Sequence, residues 1–308
     1  MRYPRFIVQL GGVPLLTRLN DVLQAIELEG FDGVSFPDHL EEDSAPIASV
    51  ALAAAAPTSL SVSALVMNND LRHPAIIAAE FATIAAAHPG RIGLGIGAGW
   101  QASDFDHLGA RFDAPGVRVD RLREALTIIA DLRSHGAVTH QGRAYQLSGF
   151  RLPGGPASFS LIVGGGGPRV LTLAGRYADV VSVNPSLARP DSRRAVANEL
   201  TWESYAKKLN VARSAAELAN RTPTYQVRTA FIHVGSDAAS IERDLCRAYD
   251  VEPQVARRMP AVLIGNARDV AEKILETSER LGIDEWVLHD QDRPRFAEVL
   301  AHLPRRER

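Results

Sequence analysis

Short apolar, β-branched runs alternate with longer amphipathic stretches along this chain. Eight runs predict strands, at residues 5–10, 33–37, 60–66, 92–98, 160–163, 179–183, 227–234 and 286–289. The stretches between them repeat at helical spacing and carry their own start and stop signals. Residues 20–29 end at Gly30, and Pro74 heads 75–87, which stops before Pro89-Gly90. Residues 118–134 are followed by Gly136, and 267–281 by Gly282. Residues 45–56, broken by Pro46 and closed by Pro57, read as an alanine-rich buried helix, too short to cross a bilayer.

Eight strand–helix units in 308 residues predict an α/β fold, a (β/α)8 TIM barrel with insertions, forming a single domain over 1–308. A doubly wound sheet would place its glycine-rich turn after the first strand. Here the richest turns follow the fourth and fifth. The excess length lies between units: 136–159 is a Gly/Pro-rich connection with no helical period, 187–224 holds a polar helical stretch, and 237–260 adds further helix.

The fourth predicted strand carries Gly93, Gly95, Gly97 and Gly99 on one face, with Leu94, Ile96 and Ala98 on the other. Glycine in a strand interior marks a bulge or the close approach of a ligand or backbone. Two readings follow: a broad, flat ligand on the bare face, or tight packing of a helix there.

Composition narrows the function. Hydrophobic residues make up 46% and charged residues 23%, with a net charge of −2 and no basic cluster beyond the tip Arg305-Arg306-Glu307-Arg308. Nucleic-acid binding and membrane insertion are therefore not expected. A single cysteine, Cys246, excludes an intrachain disulfide and fits a reducing cytoplasm.

In a barrel of this class the acting residues lie at the C-terminal strand ends. Those ends offer Gln9, Asp38-His39, Met67-Asn68-Asn69-Asp70, Gly97-Ala98-Gly99-Trp100, Asn184 and His289-Asp290. After the fifth strand, Gly164-Gly165-Gly166-Gly167 run into Pro168, a good first helical residue, and then Arg169. Exposed N–H groups at a helix start make an anion site, and glycines let a phosphate approach. His73, before Pro74, reads as a helix cap. No G-x-S-x-G elbow, paired carboxylates or metal-ligand set appears, so a cofactor is expected to carry the chemistry.

Several segments, in order along the chain, resemble the luciferase-like superfamily of flavin- and deazaflavin-dependent oxidoreductases. They are residues 30–39 (GFDGVSFPDH), 69–75 (NDLRHPA), 90–100 (GRIGLGIGAGW), 163–169 (VGGGGPR), 174–179 (AGRYAD), and Leu263-Ile264-Gly265 through Gly282-Ile283. The similarity is greatest to the actinobacterial-type branch that uses coenzyme F420. It implies a deazaflavin at the C-terminal mouth, buttressed by a non-prolyl cis peptide that falls by position at Ala64-Leu65. The family's ring and tail contacts transfer to Asp38, Met67, Gly97, Ala98, Ser103, Gly166, Gly167, Arg169 and Val170. Relatives that oxidise a sugar phosphate have a carboxylic acid where Trp100 stands, and a hydroxyl residue where Met67 stands, so that activity is not expected here.

The resulting expectation is an F420-dependent oxidoreductase exchanging hydride with a small, rather apolar organic substrate, with His39 orienting or handling a proton beside the ring. Phe36, Trp100 and Phe105 would supply an apolar wall, and Arg72, Arg111 and Arg169 would offer cations to the acidic cofactor tail. The alternatives are an FMN-dependent monooxygenase on the same barrel and a non-catalytic flavin- or F420-binding protein. A cytoplasmic enzyme is expected, with a homodimer allowed.

Overall fold

The computed structural model describes residues 3–40, 44–186 and 193–304; the basic tip at 305–308 lies outside them. Eight parallel strands close into a barrel: β1 (Arg5–Gln9), β2 (Gly33–Phe36), β3 (Ser61–Asn68), β4 (Ile92–Gly97), β5 (Ser160–Gly165), β6 (Val180–Val183), β7 (Thr224–Arg228) and β8 (Glu285–His289). Each pairs with its neighbours in sequence, and β8 closes on β1 through Arg5 opposite Glu285 to Gln9 opposite His289. The main helices after these strands are α1 (Leu19–Leu28), α2 (Pro46–Ala55), α3 (Pro74–Ala87), α4 (Pro115–His135), α5 (Pro168–Tyr177), α6 (Trp202–Leu218), α7 (Ala267–Leu281) and α8 (Arg293–Leu300).

Alternation along the strands sorts their side chains into two cores. Phe6, Val8, Val34, Phe36, Val62, Leu94, Ile96, Leu161 and Val163 belong to the large outer core between strands and helices. Each such side chain contributes about 1.5–3 kcal/mol when fully buried. Inside the barrel a smaller cluster joins Ile7, Leu65, Ile162 and Val287, with Val66 and Val180 against it. The helix signals hold: His73 Nδ1 accepts from the Ala75 N–H at 3.2 Å and caps α3, while Gly136 and Gly282 end α4 and α7 in left-handed conformation. α2 buries Ser49, Val50, Ala53 and Ala54 but leaves Leu52 exposed, so it is covered on one face only.

One expected strand is corrected, and one connection proves to hold strands of its own. The run 227–234 is two strands, because the backbone changes partner: Thr229 N–H bonds the Val287 carbonyl in the barrel, and Ala230 N–H bonds Ala261 outside it. Phe231–Val234 then pairs in parallel with Val262–Gly265 as a separate two-stranded sheet. The connection 136–159 contains an antiparallel hairpin, Ala137–Gln141 with Gln146–Arg151. Its turn is fixed from α4 by the buried Glu124 carboxylate, which accepts from the N–H groups of Arg143, Ala144 and Tyr145.

Candidate active site

The C-terminal mouth is built around an irregularity in β3. The register with β4 slips between Ala64 and Met67, and the Leu65–Val66 peptide is cis. The cis bond therefore lies one residue beyond the position expected at Ala64-Leu65. The extra residue turns Leu65 and Val66 both into the lumen. It leaves Ala64 and Met67 both in the outer core, fully buried, so that only their backbone borders the lumen. Gln9 Nε2 reaches across from β1 to donate to the Leu65 carbonyl at 2.8 Å.

This bulge explains the glycines of β4 and replaces both earlier readings. A Cβ at Gly95 would collide with the Ala64 carbonyl oxygen; one at Gly97 would sit 3.0 Å from Val66 Cγ2 and 3.1 Å from the Gly164 carbonyl oxygen. A Cβ at Gly93 would sit 2.9 Å from the Ser63 Cβ. The bare face thus points into the barrel and is filled by Ser63, Ile162 and Val66, neither by a helix nor by open space. The side of the bulge that remains open is Val66 itself, half-buried at the mouth.

Asp38 is buried, and both of its oxygens are engaged. It accepts from the Asn68 N–H at 2.9 Å and from Arg72 Nη1 and Nη2 at 2.6 and 3.0 Å, a bidentate pair that ties the loop after β2 to the loop after β3. His39 beside it faces the mouth. Its Nδ1 lies 3.1 Å from Asp104 Oδ2, and the other oxygen of Asp104 accepts from the Leu40 N–H at 3.2 Å. The His39 ring stands edge-on to Trp100, with centroids 5.7 Å apart at 82°. Asp104 is buried in the short helix Ala102–Asp106, where Ser103 is half-buried. Of the expected apolar wall only Trp100 is at the surface; Phe36 lies in the outer core and Phe105 is buried against Phe112.

The glycine run divides in two. Gly164 and Gly165 belong to β5, and Val170 covers Gly165. Gly166 has no room for a side chain, because a Cβ would meet the backbone of Asn184, Pro185 and Ser186. Gly167 is open: nothing lies within 4 Å of a Cβ placed there, and no side chain caps the helix that starts at Pro168. The first-turn N–H groups of α5 are therefore available to an anion. Arg169 turns away to α4, where it pairs with Asp120 at 2.6 Å. Arg72 is held by Asp38 and Arg111 by Asp113, so all three arginines expected along the cofactor tail already face a carboxylate.

Arg228 and His289 complete the mouth. Arg228 ends β7 opposite Val287, and its Nη1 lies 3.4 Å from Gln9 Oε1. Burial and the nearby Arg228 charge hold the His289 ring below its ordinary pKa. Among the described residues no group of three His, Cys, Asp or Glu side chains is placed to hold a metal ion, and no helix is long and apolar enough to cross a membrane.

The family model for luciferase-like monooxygenases matches residues 8–285. The F420-dependent glucose-6-phosphate dehydrogenase of Nakamurella multipartita is 33% identical over 172 residues, covering 53% of this chain and 50% of that protein. The match thus spans about half the length of this curated relative. Among solved structures, an F420-dependent secondary alcohol dehydrogenase holding an F420–acetone adduct superposes with a TM-score of 0.77 at 19% identity, over 99% of this chain and 100% of that one. An EDTA monooxygenase from Chelativorans gives 0.75 at 13% identity, over 97% and 94%. Likeness at such identities establishes the barrel and leaves the chemistry to the site.

Proposed function

The chain belongs to the luciferase-like monooxygenase family, and we propose that it acts within it as an F420-dependent oxidoreductase on a small organic substrate. The observation that carries this reading is the uncapped N-terminus of α5 at the open Gly167, placed at a strand end of the barrel mouth where a cofactor phosphate would be held. The F420-dependent relative, aligned over half of this chain, supports the same cofactor. The residues present fit the group. The N–H groups at the start of α5 would bind its phosphate, and the apolar Leu65–Val66 bulge would support a flat ring. When bound, coenzyme F420 supplies a two-electron hydride acceptor or donor.

The chain's own residues supply position and a proton. With Nδ1 turned to the Asp104 carboxylate, His39 keeps Nε2 for the mouth, where it can take or give a proton beside the substrate. Trp100 stacks edge-on against that ring and limits its rotation. Oxidation of a sugar phosphate is not proposed, because Trp100 stands where relatives with that activity carry the carboxylic acid and Met67 where they carry a hydroxyl. Spectral titration of the cofactor-free protein tests the reading: F420 should bind more tightly than FMN. Micromolar FMN binding with no detectable F420 binding would overturn it in favour of a flavin monooxygenase.

A further inference from the structure

Among the described residues no carboxylate pairs with Arg228. Its one polar contact among them is the neutral amide of Gln9, at 3.4 Å, although a guanidinium has five N–H donors. The other groups around it are neutral as well. Burial, and then the Arg228 charge, lower the His289 pKa and so favour its neutral ring. The fully buried Tyr205 hydroxyl has no hydrogen-bond partner, and burial holds its proton on. Elsewhere at the mouth arginines are matched to acids, as Arg72 is to Asp38. A charge taken out of water is costly unless something pairs with it.

Its place in the barrel says what that partner is. Alternation along β7 puts Gln226 and Arg228 on the lumen side and Val227 in the outer core. In the strand order, β7 stands opposite β3, so Arg228 faces the Leu65–Val66 bulge across the lumen. The phosphate cradle at Gly167 follows β5, two strands away. We propose that Arg228 binds a carboxylate carried by the substrate, making the preferred substrate a small monoanionic organic acid rather than an apolar molecule. One unmatched cation beside a neutral imidazole suits one negative charge, and the planar guanidinium suits a carboxylate held by two parallel hydrogen bonds. This deepens the F420-dependent reading and rests on it.

The test compares benzoate with benzamide, two probes of like shape that differ in charge, on the F420-loaded protein by quenching of cofactor fluorescence. Benzoate should bind at least fivefold more tightly than benzamide. Arg228→Gln should abolish that preference while the F420 Kd stays within twofold, and Arg228→Lys should retain part of it. Equal binding of the two probes to the unaltered protein overturns the proposal. So does an Arg228→Gln variant that loses F420 affinity tenfold, which would assign the cation to the cofactor. Inorganic phosphate that displaces benzoate at lower concentration would overturn the choice of a monoanion. If Arg228→Gln does not fold, Arg228→Lys and the benzoate–benzamide difference decide. If F420 itself does not bind, the deazaflavin reading fails, and thermal melting with the two probes still decides the carboxylate site.

Discussion

His39 and Asp104 are 65 positions apart in sequence, yet Nδ1 of the one lies 3.1 Å from Oδ2 of the other. The carboxylate favours the tautomer with a proton on Nδ1, so the second nitrogen of the ring is the one that meets the mouth. Asp104 is therefore a positioning residue for His39. Asp104→Asn should slow single-turnover hydride exchange by about 10–100-fold, taking the scale known for partners that orient metal-bound histidines. His39→Ala should slow it at least as much, with a smaller effect on cofactor affinity. A shift in melting temperature alone, with the chemistry intact, would make the pair a structural tie between two loops.

Adjacent glycines at the start of α5 should respond in opposite ways. Gly167→Val meets open space at φ −81°, so the fold should survive while F420 binding weakens by about 1–3 kcal/mol, the scale of lost charge-assisted hydrogen bonds. Gly166→Ala pushes a methyl group into the backbone at Asn184 and Pro185, so stability should fall by about 1–3 kcal/mol as in an overpacked core. Melting curves and cofactor titrations on both variants separate the two effects. Unchanged F420 affinity in a folded Gly167→Val would remove the cradle.

The barrel was legible because each strand is a short apolar run and each helix has a start or stop residue, as with Pro74 and Gly282. What escaped depends on hydrogen bonds between distant segments. The run 227–234 is β-branched and aromatic on both sides of its break, and only the change of partner at Ala230 divides it. Running that strand onward hid Arg228, which is a strand end facing the lumen. Asp104 lies in a loop helix away from any strand end. The bulge was placed to within a residue by the family resemblance alone, since the β3 pattern fits an insertion equally well at either peptide. The β4 glycines were informative, but they record the approach of that bulge from inside.

Gly95 makes the last point testable. Its missing side chain faces the Ala64 carbonyl oxygen, a backbone atom that cannot rotate away, whereas the nearest atom to Gly97 is a methyl of Val66 at 3.0 Å. Gly95→Ala should therefore destabilise more than Gly97→Ala, by about 1–3 kcal/mol in chemical denaturation. Equal tolerance of the two would mean that the bulge does not bear on β4.

At the other end of the barrel, Glu285 is buried at the first position of β8 with Arg5 Nη1 at 3.0 Å and the Gln226 amide against it. Burial raises its pKa, and Arg5 and Gln226 only partly oppose that. The Gln226 carbonyl oxygen is buried with no donor, which a proton on Glu285 would supply once the amide is turned. The sign of the pH effect follows. Below the ordinary glutamate pKa the side chain is protonated in both folded and unfolded chains, and its contribution is fully present. As pH rises through the window up to the raised folded pKa, the unfolded chain releases its proton first, so stability is lost across that window. Glu285→Gln has no such proton to lose. Its melting temperature minus that of the unaltered protein should therefore grow with pH above the ordinary glutamate pKa and level off past the raised one. A difference that shrinks with rising pH would mean that Arg5 outweighs burial and holds Glu285 as a carboxylate.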